Sequence, residues 1–226
     1  MSPQTDDRIS RLIEEIVQDA RPVRRLWPPA IRLSAWFVIL LATTSVVVVA
    51  GLRPGVVQRL ESAAFLGELV CLSAATGAAA WIALRAAIPG LESGFRRSLL
   101  VGSTVGGLGF VLSLVQTRFA AGIPLTDFVR TGIHCTLASI VIAVVPAWTL
   151  VWAVGRGVAH RPAWAGATGG LAASIWTYVL MQLRCRLDET AHVIVWHGGP
   201  LVAVTAASAA LAVVIARARH ARGTTL

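Results

Sequence analysis

The chain has 226 residues, 56% of them hydrophobic and 14% charged, with a mean hydropathy of +0.72. That balance excludes a water-soluble globular domain, in which about a quarter of the residues are charged. The net charge of +9 is carried by arginine without any lysine. Because the arginines occupy every loop and alternate with acids near the N-terminus, they fit membrane topology better than a nucleic-acid surface.

Residues 1–19 are polar and hold five acids, so they lack the pattern of a cleaved signal peptide, and the first apolar run is expected to be an uncleaved anchor. Ile9, Leu12, Ile13, Ile16 and Val17 recur at i, i+3, i+4, i+7 and i+8, with Arg8, Arg11, Glu14, Glu15 and Gln18 on the other side. This spacing predicts an amphipathic helix. Thr5 or Asp6 would cap it and Pro22 would end it, after which Pro28 and Pro29 are expected to keep the chain extended. A lone helix of about 14 residues is marginal in water and needs a surface to lie on. Asp6, Asp7, Glu14, Glu15 and Asp19 against Arg8 and Arg11 argue against anionic lipid and for a basic protein partner. Docking on the protein's own inner loops is the alternative.

Six apolar runs follow, at 35–52, 63–84, 99–115, 133–155, 163–183 and 193–216. At 1.5 Å rise per residue each approaches or exceeds the ~30 Å of a bilayer's hydrocarbon core. The expected fold is all-α: a polytopic bundle of six transmembrane helices (35–216) between a cytoplasmic arm (1–34) and a basic tail (217–226). Fourteen arginines on one side of these spans against six on the other place both termini in the cytoplasm. Gly102, Gly106, Gly107 and Gly109 in the third span, with Gly166 and Gly170 in the fifth, are spaced for close helix contact. Pro146 interrupts the fourth span.

With this topology Cys135 lies at the outer end of the fourth span and Cys185 in the outer loop after the fifth. His134, His192 and His197 lie at the same depth, with Glu68 and Cys71 in the second span. Thiols and imidazoles gathered from separate segments suggest either a reversible disulfide between Cys135 and Cys185 or a metal ion bound by the thiolates with an imidazole from His192 or His197. For Cys71 a small core residue is the simpler reading, and His134 and His192 suit a solvated interface as well as a ligand role. Glu68 and His197 are equally able to satisfy each other inside the bundle. No phosphate loop, catalytic triad or paired intramembrane carboxylate points to an enzyme. No cofactor is expected beyond that transition-metal ion. A small six-helix transporter or channel for a metal ion or metabolite is the alternative, with Glu68 and His197 lining a path.

Several features together carry a family likeness. They are Leu12-Ile13-Glu14-Glu15, then Asp19 through Leu26 leading into the first span, Cys135 and Pro146 in the fourth, the Arg-rich turn from Gly155 to Pro162, Cys185, and Trp196 in the sixth. In these the chain resembles the NrsF-type anti-sigma factors, six-helix inner-membrane proteins that hold an extracytoplasmic-function sigma factor at the bacterial membrane. The resemblance implies that Cys135 and Cys185 are a periplasmic pair needed for signal response. It implies also that the N-terminal helix, through Ile9, Leu12, Ile13, Glu14, Glu15, Ile16, Val17 and Asp19, binds the sigma factor. Arg184 and His197 depart from the family pattern, which often has His and Tyr there.

Overall fold

The computed structural model describes residues 3–18, 26–90, 95–118, 124–157 and 159–223. Helix α1 (Pro3–Gln18) is followed by α2 (Pro29–Val49), the short α3 (Val56–Leu60), α4 (Ala63–Ala86), α5 (Phe95–Val115), α6 (Leu125–Gly155) and α7 (Pro162–Arg184). One turn, α8 (Thr190–His192), leads through a π-turn at Val193–His197 into α9 (Gly198–Gly223). No strand occurs among the described residues beyond one isolated bridge between Arg118 and Glu189.

The long helices outrun their apolar stretches because they continue until backbone chemistry stops them. Pro29 and Pro162 stand in the first turns of α2 and α7, where a missing N–H costs nothing, and Pro124 caps α6. Pro29 thus starts the first long helix, which corrects the expectation of an extended chain up to residue 34. The 31 residues of α6 span about 46 Å, more than the ~30 Å of a bilayer's hydrocarbon core.

Among the described residues, five helices are long and apolar enough to cross a membrane: α2, α4, α5, α6 and the run Thr190–Arg219. The expected run at 163–183 falls on α7, which is long enough but differs in composition. Helices α4, α6 and α9 surround α7, and it buries Thr168, Ser174, Thr177 and Gln182. Small residues replace lipid-facing aliphatics because the neighbours are helices. A Cβ at Gly166 would lie 2.5 Å from both Ala212 Cβ and the Ser208 carbonyl, so α7 and α9 touch backbone to backbone. Gly102, Gly106 and Gly109 of α5 face Ala78, Ala75 and the Cys71–Leu72 pair of α4 in the same way, whereas Gly107 meets nothing. Cys71 is therefore part of a helix contact. The core gathers Trp36, Leu40, Leu84 and Leu150, and Trp36 Nε1 donates to the Pro146 carbonyl at 2.9 Å.

Loops pair at two ends. At one, Arg53 N–H donates to the Leu183 carbonyl at 2.9 Å and Arg118 N–H to the Asp188 carbonyl at 2.7 Å. At the other, Arg32 donates to the Ala153 carbonyl and Gly157 sits against Ala87. Successive long helices therefore alternate in direction.

Candidate functional site

Three elements meet at the Leu183 end. Cys135 stands about three turns into α6, counted from Pro124, while Cys185 caps α7, its N–H donating to the Met181 carbonyl and its extended ψ of 136° turning the chain away. His192 ends α8 and His197 closes the π-turn. Cys135 Sγ and Cys185 Sγ are 3.7 Å apart, and Cys185 Sγ lies 3.6 Å from His192 Nε2. The two imidazoles meet edge to face with centroids 5.2 Å apart. One ligand atom from each of the four residues falls within 4.8 Å of the others.

These spacings suit a tetrahedral metal. With Zn–S near 2.3 Å and Zn–N near 2.0–2.1 Å, a tetrahedron has an S···S edge of about 3.8 Å and an S···N edge of about 3.6 Å. His192 and His197 are almost wholly buried, yet His192 Nδ1 and both His197 ring nitrogens lack a hydrogen-bond partner. Buried polar atoms without partners are rare and call for an explanation, which a shared ligand supplies. The same thiols are close enough for oxidation: a bond at about 2.05 Å requires a movement of under 2 Å. Contact with Cys135, aided by His192 and His197, holds the Cys185 thiol well below its ordinary value despite burial. The thiolate is the form that attacks disulfides and binds metals.

A salt-bridge clamp fixes the limb bearing Cys185 and His192. Arg53 grips both Asp188 carboxylate oxygens at 2.7 Å, and Arg59 adds a third contact at 2.6 Å while its guanidinium lies over the Phe65 ring. Burial alone would raise the Asp188 carboxyl, but the two guanidinium groups outweigh it and hold it below the ordinary carboxylate range. Sequence reasoning passed over this clamp. The loop itself, with Asp188 and Glu189 close to Arg184 and Arg186, carries no signal of the distant Arg53 and Arg59.

Glu68 lies outside the cluster. It is buried in α4, and its Oε2 accepts a hydrogen bond at 2.8 Å from Gln116 rather than from His197. Neighbouring polar groups form their own chain: Gln182 donates to Ser113 Oγ at 2.7 Å, and Ser113 shares a 2.6 Å bond with Tyr178. The Tyr178 ring stands edge-on to His197 with centroids 6.1 Å apart, so two polar layers touch through one aromatic ring. His134 binds the Arg130 carbonyl of its own helix at 2.8 Å, on an exposed face.

In α1, Ile9, Ile13 and Val17 are exposed, as are Glu14 and Glu15. Asp19 and the side chains of Leu12 and Ile16 lie outside the described residues. Residues 16–217 match the family NrsF, described as negative regulator of sigma F. The chain belongs to the NrsF family. It is, by that membership, a negative regulator of a sigma factor. The NrsF match takes in Cys135, Cys185, His192 and His197 and begins inside α1. No curated protein and no solved structure matches the chain.

Proposed function

We propose that this NrsF-family protein is an anti-sigma factor of the bacterial cytoplasmic membrane that binds an extracytoplasmic-function sigma factor through α1. A metal ion or oxidant at Cys135 and Cys185 releases the sigma factor. The observation that carries this reading is the thiol–thiol distance of 3.7 Å, with His192 Nε2 3.6 Å from Cys185. The protein acts by binding and has no catalytic step.

In this reading α7 is the sixth crossing. The arginine excess puts both termini and the Arg156 turn in the cytoplasm, and the Cys185 end in the periplasm. The exposed Ile9, Ile13 and Val17 of α1, flanked by Glu14 and Glu15, suit an apolar stripe rimmed by basic groups on the sigma factor. Occupying such a surface keeps the sigma factor from RNA polymerase.

On the periplasmic side Cys135, Cys185, His192 and His197 would hold a borderline or soft divalent ion, which supplies a crosslink between three helical segments. An oxidant would draw the same segments together by taking two electrons and two protons from the thiols. Either event favours one packing of α6, α7 and α9. Moving α1 between bound and released states requires the ligand to discriminate between two packings by a few kcal/mol. The test is co-purification of the sigma factor with wild type and with Ile13→Asp plus Ile16→Asp. Loss in the variant is expected, and equal recovery ends the assignment of α1.

A further inference from the structure

The π-turn has a sequence cause. Gly198 N–H reaches back five residues to the Val193 carbonyl, and two residues later stands the buried Pro200. In a regular α-helix the N–H of residue 200 would serve the carbonyl of Trp196. Proline has none, and its ring crowds that carbonyl. A wider turn relieves the crowding, and the Trp196 carbonyl is served from another helix, by Thr136 Oγ1 at 3.4 Å. The Trp196 ring fits the gap above Gly132, where any Cβ would collide with it, and stacks at a tilt on Phe128.

The turn decides which way His197 faces. Five residues of α-helix advance about 500°, which would leave His192 and His197 about 140° apart around the axis. A turn closed by i→i+5 bonds returns the fifth residue to nearly the same face. That is where the two rings stand, 5.2 Å apart.

We infer that Pro200 is a positioning residue of the thiol–imidazole site: by imposing the π-turn it brings His197 to Cys135, Cys185 and His192, making four ligands of three. The inference rests on the reading of these side chains as a metal site. Thr136, beside Cys135 in sequence, holds the freed carbonyl and so ties the turn to the helix that bears the first thiol. Pro200 supplies no ligand atom, and its effect is on coordination number.

The experiment is Co2+ titration of the full-length protein in lipid nanodiscs, read by the thiolate charge-transfer and visible d–d bands. Wild type should bind with a tetrahedral spectrum. Pro200→Ala allows a regular helix and should lose affinity about 10- to 100-fold, the usual effect of disturbing a ligand's support. It should keep thiolate charge transfer while the d–d bands change. His197→Ala should match it, and the double variant should lose nothing more, since both remove one ligand. Deleting the exposed Ile194 from Pro200→Ala makes the histidines four apart, again on one face of an α-helix, and should restore the wild-type spectrum. Wild-type binding by Pro200→Ala, additive losses, or no rescue by the deletion would each overturn the inference. Absence of Co2+ bands in wild type would instead remove the metal reading and this inference with it.

Discussion

Replacing Asp188 by alanine should weaken the site without touching a ligand. The clamp consists of three charge-assisted contacts at 2.6–2.7 Å, with Arg53 nearly buried at 9% side-chain exposure and Asp188 at 27%. Bonds to charged groups contribute about 1.5–3 kcal/mol each when buried, but partial exposure and shared geometry reduce the sum to about 3 kcal/mol. Backbone bonds from Arg118 to Asp188 and from Thr190 to Arg118 still tether the limb in the variant. About half the clamp's contribution, ~1.5 kcal/mol, then appears as extra ordering cost when a ligand engages Cys185 and His192. That corresponds to about tenfold weaker Co2+ binding. Equilibrium titration in nanodiscs measures it, with Asp188→Asn expected to lie between alanine and wild type. Affinity within twofold of wild type for Asp188→Ala would refute the idea that the clamp presets the limb.

The same carboxylate gives a pH signature. Its folded-state pKa lies below the unfolded value near 4, so its stabilisation is complete above that value and is lost as pH falls through the lowered one. Melting midpoints of wild type minus Asp188→Asn should be constant from pH 7 to 5 and shrink only below about 4. A change between 7 and 5 contradicts the assignment. Gly166→Val should cost about 1–3 kcal/mol, because a side chain there meets the α9 backbone, whereas Gly107→Val should be tolerated. Denaturation in detergent distinguishes the two. Trp36→Phe removes the bond to the Pro146 carbonyl and should cost about 1 kcal/mol by the same measurement.

The helices and the meeting of Cys135 with Cys185, His192 and His197 were legible because apolar run lengths and residue depth survive folding in a bilayer. What escaped depended on partners far apart in the chain. Nothing near Asp188 announces that Arg53 and Arg59, more than 100 residues earlier, will grip it. Trp36 sits near a span end in sequence, where an interfacial anchor is expected, yet α2 turns it inward to Pro146. Glu68 was paired with His197 on depth, but Gln116 lies one helix closer. The π-turn at Val193–His197 could not be read from the apolar run, because run length does not register how a proline downstream, Pro200, changes the local helical period. In α7, Thr168, Ser174, Thr177 and Gln182 are buried because a helix enclosed by helices has less need of large apolar side chains.

The central claim is that ligand chemistry at Cys135 and Cys185 governs sigma-factor binding across the membrane. Its most direct measurement uses the full-length protein in sealed vesicles with the sigma factor bound outside on the α1 side, and follows release when Cd2+ or diamide reaches the Cys185 side. Release from wild type and retention by Cys135→Ser plus Cys185→Ser are expected. Retention by wild type, or equal release from both, would contradict the claim.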